Sequence, residues 1–224
     1  MEMSSFLRNV SLFESLDDRE IEALAEVTIN RTFGKDGVII LAEEEGDTLF
    51  IIKKGQVKVS IVSEEGREVI LTLMGSGAVF GELSLLDGKP RSANVIATED
   101  TELIMLRRSD FVQLIYKVPQ IATALLAELA SRLRKTDRQI EGLDLLDVTS
   151  RISETLLLLA NEQGAETEEG VVISNRPTHQ ELANMSGTTR ETVSRVLKRL
   201  EIQGYISCKG RKITILREEN WNRQ

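Results

Sequence analysis

Gly77-Ala-Val-Phe-Gly-Glu-Leu-Ser-Leu-Leu-Asp-Gly-Lys-Pro-Arg-Ser-Ala-Asn-Val-Ile-Ala97 decides how the rest of the chain is read. Short apolar runs at its ends have strand character, and Gly75, Gly77, Gly81, Gly88 and Pro90 let the backbone between them turn its amides toward one point. Arg91 adds a guanidinium, which forks onto a phosphate or carboxylate in two parallel bonds beside such a cluster of N–H groups. Glu82 accepts only when ionised, so it would take a hydroxyl proton such as a ribose's, or steady Arg91; Ser92 would donate one more bond. The stretch reads as a phosphate pocket.

The strings Phe80-Gly-Glu-Leu-Ser84 and Pro90-Arg-Ser-Ala93 resemble the phosphate-binding cassette of cyclic-nucleotide-binding domains, most closely that of the bacterial cyclic-AMP receptor proteins in the Crp/Fnr family. The resemblance implies that Gly81, Glu82, Leu83, Ser84, Arg91 and Ser92 bind a cyclic nucleotide, cyclic AMP first among them, as an allosteric ligand with no obligatory cofactor.

Composition fits this reading without requiring it. The 224 residues, 41% hydrophobic, suffice for one large or two ordinary domains. A formal charge of -8 argues against nucleic acid at first sight, yet residues 188–212 hold seven basic residues against Glu191 and Glu201, a local net of +5. The single Cys208 excludes a disulfide framework within the chain and an iron–sulfur cluster, and a cytoplasmic protein is expected. No stretch approaches the roughly 20 apolar residues of a membrane span.

Working outward, Ser15-Leu-Asp-Asp18 has the pattern of a capping box before a short amphipathic helix carrying Ile21, Leu24 and Ala25. From Val38 to Arg107 the pattern alternates in short β-rich runs, including Leu49–Ile52, Val57–Val62, Val69–Leu73, Asn94–Ala97 and Leu103–Leu106, with Gly55, Gly66 and Gly75 as breaks. This spacing predicts a small antiparallel barrel or roll. Asp36, Glu43, Glu44, Glu45 and Asp47 read as a solvated acidic rim rather than a metal site, since their spacing matches no ligand loop.

After Pro119 the period becomes helical: Ile121, Leu125, Leu129, Leu133, Thr136, Ile140 and Leu143 draw one seam. At about 1.5 Å per residue the seam runs about 34 Å, more than a small roll covers, so the partner expected along it is a second copy. The opposite face, Glu128, Arg132, Lys135, Arg138 and Glu141, is charged. In the resembling family Thr136 stands where a Thr meets the adenine, and Asp137 replaces the Ser that usually follows. Both join the expected ligand residues.

Leu143-Asp-Leu-Leu-Asp147 breaks the seam, and Asp147 is the expected N-cap of a further helix through Leu156 and Leu159. Asn161–Gly170 reads as an acidic loop, a surface that touches RNA polymerase in relatives. Thr178 and Glu181 form a capping box, Leu182, Ala183 and Met185 a buried face, and Gly187 a turn. A second helix buries Val193, Val196, Leu197 and Leu200 and exposes Glu191 and Arg195, as in a helix-turn-helix. Arg190-Glu-Thr-Val-Ser-Arg195 resembles the Crp/Fnr recognition helix, which implies DNA contacts by Thr178, His179, Thr188, Thr189, Arg190, Glu191, Ser194, Arg195 and Lys198. Runs at 205–208 and 212–216, around Gly210, would form the wing, with Cys208 in it and without a redox role.

The reading is an α+β chain: a β-roll sensor over 1–118, a dimerisation helix over 119–143, a hinge at 144–147 and a winged helix-turn-helix over 148–224. It implies a homodimeric transcription regulator on pseudo-palindromic double-stranded DNA, with RNA polymerase as a further partner. Two alternatives stay open: a Crp/Fnr regulator that is ligand-independent or senses an anion such as 2-oxoglutarate, and, remotely, a β-roll enzyme, for which the cassette offers neither a metal trio nor a nucleophile–base pair.

Overall fold

The structure, a computed structural model, describes residues 2–217; residues 218–224 and the side chains of Glu2 and Leu143 lie outside the described residues. The chain divides into two compact units, Met1–Lys135 and Thr136–Gln224. The first opens with helices α1 (Glu2–Leu7) and α2 (Asp18–Val27). The cap of α2 differs from expectation: Asp17, not Ser15, accepts from the Glu20 amide, and Glu20 closes the box from N3. Aspartate places an anion at the positive end of the helix, which serine does not.

Eight strands follow: β1 (Ile29–Phe33), β2 (Val38–Ile40), β3 (Thr48–Lys54), β4 (Val57–Val62), β5 (Glu68–Met74), β6 (Val79–Phe80), β7 (Asn94–Ala97) and β8 (Thr101–Arg107). They form two antiparallel sheets, ordered β1-β8-β3-β6 and β2-β7-β4-β5. The roll therefore begins at Ile29, ahead of the expected Val38. The mostly polar Ile29–Phe33 gave no alternation because nearly all of it is exposed. In β3 the unbroken run Leu49–Ile52 is buried on both faces. Leu49 and Ile51 join a core with α2, Phe111 and Ile121, while Phe50 and Ile52 join a second core with Phe80, Val95 and Leu103. A strand covered on both sides needs no polar alternation. The cassette, read as a turn, contains the short helix α3 (Glu82–Asp87) with Gly81 as its N-cap.

Helix α4 (Arg108–Lys117) leads to α5 (Gln120–Leu145), which spans the division between the units. Here the seam splits. Ile121 and Leu125 are buried in the first unit's own core and Leu129 packs against it, so this half of the seam needs no second copy. Leu126, Leu133 and Ile140, seven residues apart, are more than 60% exposed and form one apolar stripe along α5. The charged face is also partly engaged, since Arg132 and Lys135 reach back to the roll.

The second unit holds α6 (Val148–Gln163), β9 (Ala165–Glu166), β10 (Gly170–Ile173), α7 (His179–Ser186), α8 (Arg190–Ile202), β11 (Ile206–Lys209) and β12 (Lys212–Leu216). Its sheet runs β11-β12-β10-β9, antiparallel throughout. Asn161–Gly170 is thus not one loop: α6 extends to Gln163 and β9 pairs with β10. Ile152, Leu156, Leu182, Ala183, Val193, Val196 and Ile213 fill the core. Met185 is only half-buried, and Ser186 takes the inward position instead, its hydroxyl 2.9 Å from that of Thr155.

Candidate ligand pocket and nucleic-acid interface

In the first unit the cassette is organised around Arg91, 6% exposed. Its Nη1 donates to the Gly81 carbonyl at 2.7 Å and its Nη2 to that of Thr48 at 2.8 Å, while the guanidinium stands 5.8 Å from the Phe50 ring centroid. The backbone is fixed as well: the Arg91 amide donates to Glu44 O and the Glu43 amide to Arg91 O. Two glycines make room. A Cβ on Gly46 would sit 1.9 Å from Arg91 Nε, and one on Gly81, where φ is +83°, 2.7 Å from Nη1. Burial lowers the Arg91 pKa from the ordinary guanidinium value, and the charges of Asp47 and Glu82 oppose that shift. A buried cation held by two neutral carbonyls keeps much of its affinity for an anion.

Glu82, expected to face a hydroxyl or Arg91, has its ion pair elsewhere: Arg132 Nη1 donates to Glu82 Oε1 at 2.9 Å. Arg132 also donates through Nη2 to Val79 O and through Nε to Glu128. In the sequence Arg132 belongs to a charged helix face; its spacing from Glu128 is legible there, its bond to Glu82 is not. Ser84 is buried, whereas Leu83 and Ser92 are exposed. Thr136 and Asp137 lie on α5 in the second unit, both exposed.

In the second unit Thr178 caps α7 and shares a capping box with Glu181. Gly187, left-handed at φ +61°, turns the chain, and Thr189 caps α8 by accepting from the Thr192 amide. Arg151 braces the turn by donating from Nε to Ser186 O at 3.0 Å, and Nη1 donates to Leu146 O. With Val193, Val196 and Leu197 buried, Arg190, Glu191, Ser194, Arg195 and Lys198 point to solvent from one helix. Arg176 ties the wing turn to this motif: its amide donates to Arg211 O and its Nη1 to Pro177 O. Arg151 and Arg176 act on backbone carbonyls, which no side-chain motif announces. His179 is half-buried, and burial first, then Arg176 and Arg190, lowers its pKa. Burial likewise pushes the Cys208 thiol up, which suppresses the reactive thiolate.

Among the described residues no helix is long and apolar enough to cross a membrane, and no His, Cys, Asp and Glu group could hold a metal ion. The cyclic nucleotide-binding domain family matches residues 30–117 and the Crp-like helix-turn-helix domain family residues 150–220. The chain is 42% identical over 179 residues to the cAMP-activated global transcriptional regulator CRP of Pasteurella multocida, covering 79% of this chain and 85% of that protein. It is 30% identical over 222 residues to the CRP-like cAMP-activated global transcriptional regulator of Mycobacterium tuberculosis, covering 99% of each. Among solved structures, the catabolite activator protein of Thermus thermophilus shares 35% identity at a TM-score of 0.55, covering 93% of this chain and 94% of that one. The c-di-GMP-responsive regulator CLP of Xanthomonas campestris shares 28% at a TM-score of 0.77, covering 90% and 100%. With a nucleotide-binding roll and a Crp-type helix-turn-helix in one chain, this protein belongs to the Crp/Fnr family of DNA-binding transcription regulators.

Proposed function

We propose that cyclic AMP is the effector of this regulator and that it controls the binding of a homodimer to a pseudo-palindromic DNA site. The observation that carries the ligand reading is Arg91, a buried guanidinium bonded to two uncharged carbonyls in a glycine-lined hollow. In this reading Arg91, Ser92 and the backbone at Gly81, Leu83 and Ser84 hold the cyclic phosphate, Glu82 accepts from the ribose hydroxyl, and Thr136 and Asp137 meet the base. Because Glu82 is already paired with Arg132 on α5, a ligand hydroxyl arriving at Glu82 redistributes that bond and biases one arrangement of the helix over another.

On the DNA side Arg190, Glu191 and Arg195 read base edges, Arg to guanine and Glu to the cytosine amine, while Thr178, His179, Thr188, Thr189, Ser194 and Lys198 hold phosphates. That the relatives are cAMP-activated supports the nucleotide. The c-di-GMP response of CLP favours a second reading, another anionic nucleotide in the same roll.

The test is operator binding and calorimetry by wild type and Arg91→Leu, with and without cyclic AMP. The reading expects nucleotide-driven DNA binding that the variant loses, with affinity for the nucleotide down by roughly two to three and a half decades, as for a broken buried pair. DNA binding indifferent to cyclic AMP in the wild type would overturn cyclic AMP as the effector and leave the ligand-independent regulator or one that answers to another anion.

A further inference from the structure

One turn beyond Arg132, α5 makes a second contact with the roll that the cassette does not account for. Lys135 Nζ donates to Thr72 Oγ1 of β5 at 3.0 Å. Thr72 stands opposite Val59 across the β4–β5 ladder and Ile70 opposite Ser60, with a register shift between them, so Thr72 lies on the face of Val59, which packs against the core of Phe50, Phe80 and Val95. Ser60 is wholly buried, and its hydroxyl has no hydrogen-bond partner among the described residues. The Thr72 side of the hairpin thus carries a hydroxyl with an ammonium against it, on a face otherwise packed with apolar residues.

Its position matters. Arg132 and Lys135 both reach back to the first unit, Arg132 to Glu82 and Lys135 to Thr72, and they lie about 4.5 Å apart along the helix axis. A ligand with its phosphate at Arg91 and its ribose at Glu82 extends its base toward the next polar groups on that side.

We infer that Lys135 is a base-selecting residue of the proposed nucleotide site, and that it admits guanine beside adenine; the inference rests on the cyclic-nucleotide reading above. An ammonium has three donors and no acceptor. Guanine presents adjacent acceptors, O6 and N7, which one ammonium serves together; adenine offers N7 alone and sets a donor amine beside it. The Thr72 hydroxyl, which accepts from Lys135 in this structure, can then donate to a ring acceptor or accept from an amine, so the site takes either base and Lys135 shifts the balance toward the 6-oxopurine.

The experiment is calorimetric titration of wild type, Lys135→Met and Lys135→Arg with cyclic AMP and with cyclic GMP. Wild type binds both with Kd values within about tenfold. Lys135→Met raises the cyclic GMP to cyclic AMP Kd ratio by about tenfold, equal to about 1.4 kcal/mol of discrimination, and Lys135→Arg, which keeps the donors, leaves the ratio near that of wild type. An unchanged ratio in Lys135→Met, an equal loss for both nucleotides, or a wild type that refuses cyclic GMP while binding cyclic AMP overturns the role of Lys135 alone. A wild type that binds neither nucleotide overturns the cyclic-nucleotide reading itself.

Discussion

Arg132 of α5 donates to Glu82 of the cassette at 2.9 Å, and this bond ties the start of the pocket helix to the long helix that runs on into the second unit. The Glu82 side chain is only 5% exposed and that of Arg132 31%. Replacing Arg132 with Ala leaves a buried carboxylate without its cation. A fully buried pair broken on one side costs about 3–5 kcal/mol and an exposed one about 1 or less, so Arg132→Ala should destabilise the first unit by about 2 kcal/mol. Urea melts check this, and the paired change Glu82→Leu with Arg132→Met should recover most of the loss, because no buried charge is then orphaned.

Gly46 is the second handle on the pocket, and one the cassette sequence does not contain. Gly46→Ala drives a methyl into Arg91 Nε. Overpacking of this kind costs about 1–3 kcal/mol, so anion affinity should fall by about one to two decades while Arg91 itself is untouched. Calorimetry with cyclic AMP reads it; affinity equal to wild type would show that Arg91 moves aside freely.

The divided seam predicts two separable phenotypes. Leu125 is 4% exposed and part of the roll core, so Leu125→Ala should lower the stability of the first unit by about 2–5 kcal/mol with dimerisation intact. Leu133 and Ile140 are 62% and 61% exposed, so Leu133→Asp with Ile140→Asp should spare folding and abolish the dimer, since a charge in an apolar interface finds no partner. Sedimentation at micromolar concentration beside thermal melts distinguishes the two.

Much of this architecture was written locally. Thr178, Glu181, Gly187 and Val193 announce caps, turn and buried face within a window of sixteen residues, and the structure forms each of them from neighbours in sequence. What sequence could not supply was long-range. Ile121 and Leu133 both fall on the four-residue repeat of the seam, but that repeat drifts about 120° round the helix between them, and only the placement of the roll decides that one is buried and the other is not. Arg132 likewise looks like any exposed helix cation until β6 and α3 arrive beneath it. Backbone carbonyl acceptors at Thr48 and Gly81 leave no trace in side-chain identity.

The last prediction concerns pH and the single His179. Burial, Arg176 and Arg190 all lower its pKa from the ordinary 6.5, so the folded protein keeps it neutral. A depressed value in the folded state means that the unfolded chain binds the proton more readily. The stability this contributes is present above about pH 6.5 and is lost as pH falls through the lower folded value. Bound DNA acts in the opposite sense, because a phosphate near the first turn of α7 favours the imidazolium and offsets the two arginines. DNA association should therefore take up a proton, and operator affinity should rise between about pH 7.5 and about pH 6 by more than the same change gives in His179→Gln. The salt dependence should steepen along with it, by up to about one counterion. Fluorescence anisotropy on a labelled operator at the two pH values, for wild type and His179→Gln, measures both quantities. Parallel pH profiles for the two proteins would remove His179 from the DNA contact and leave it as a half-buried residue of the helix start.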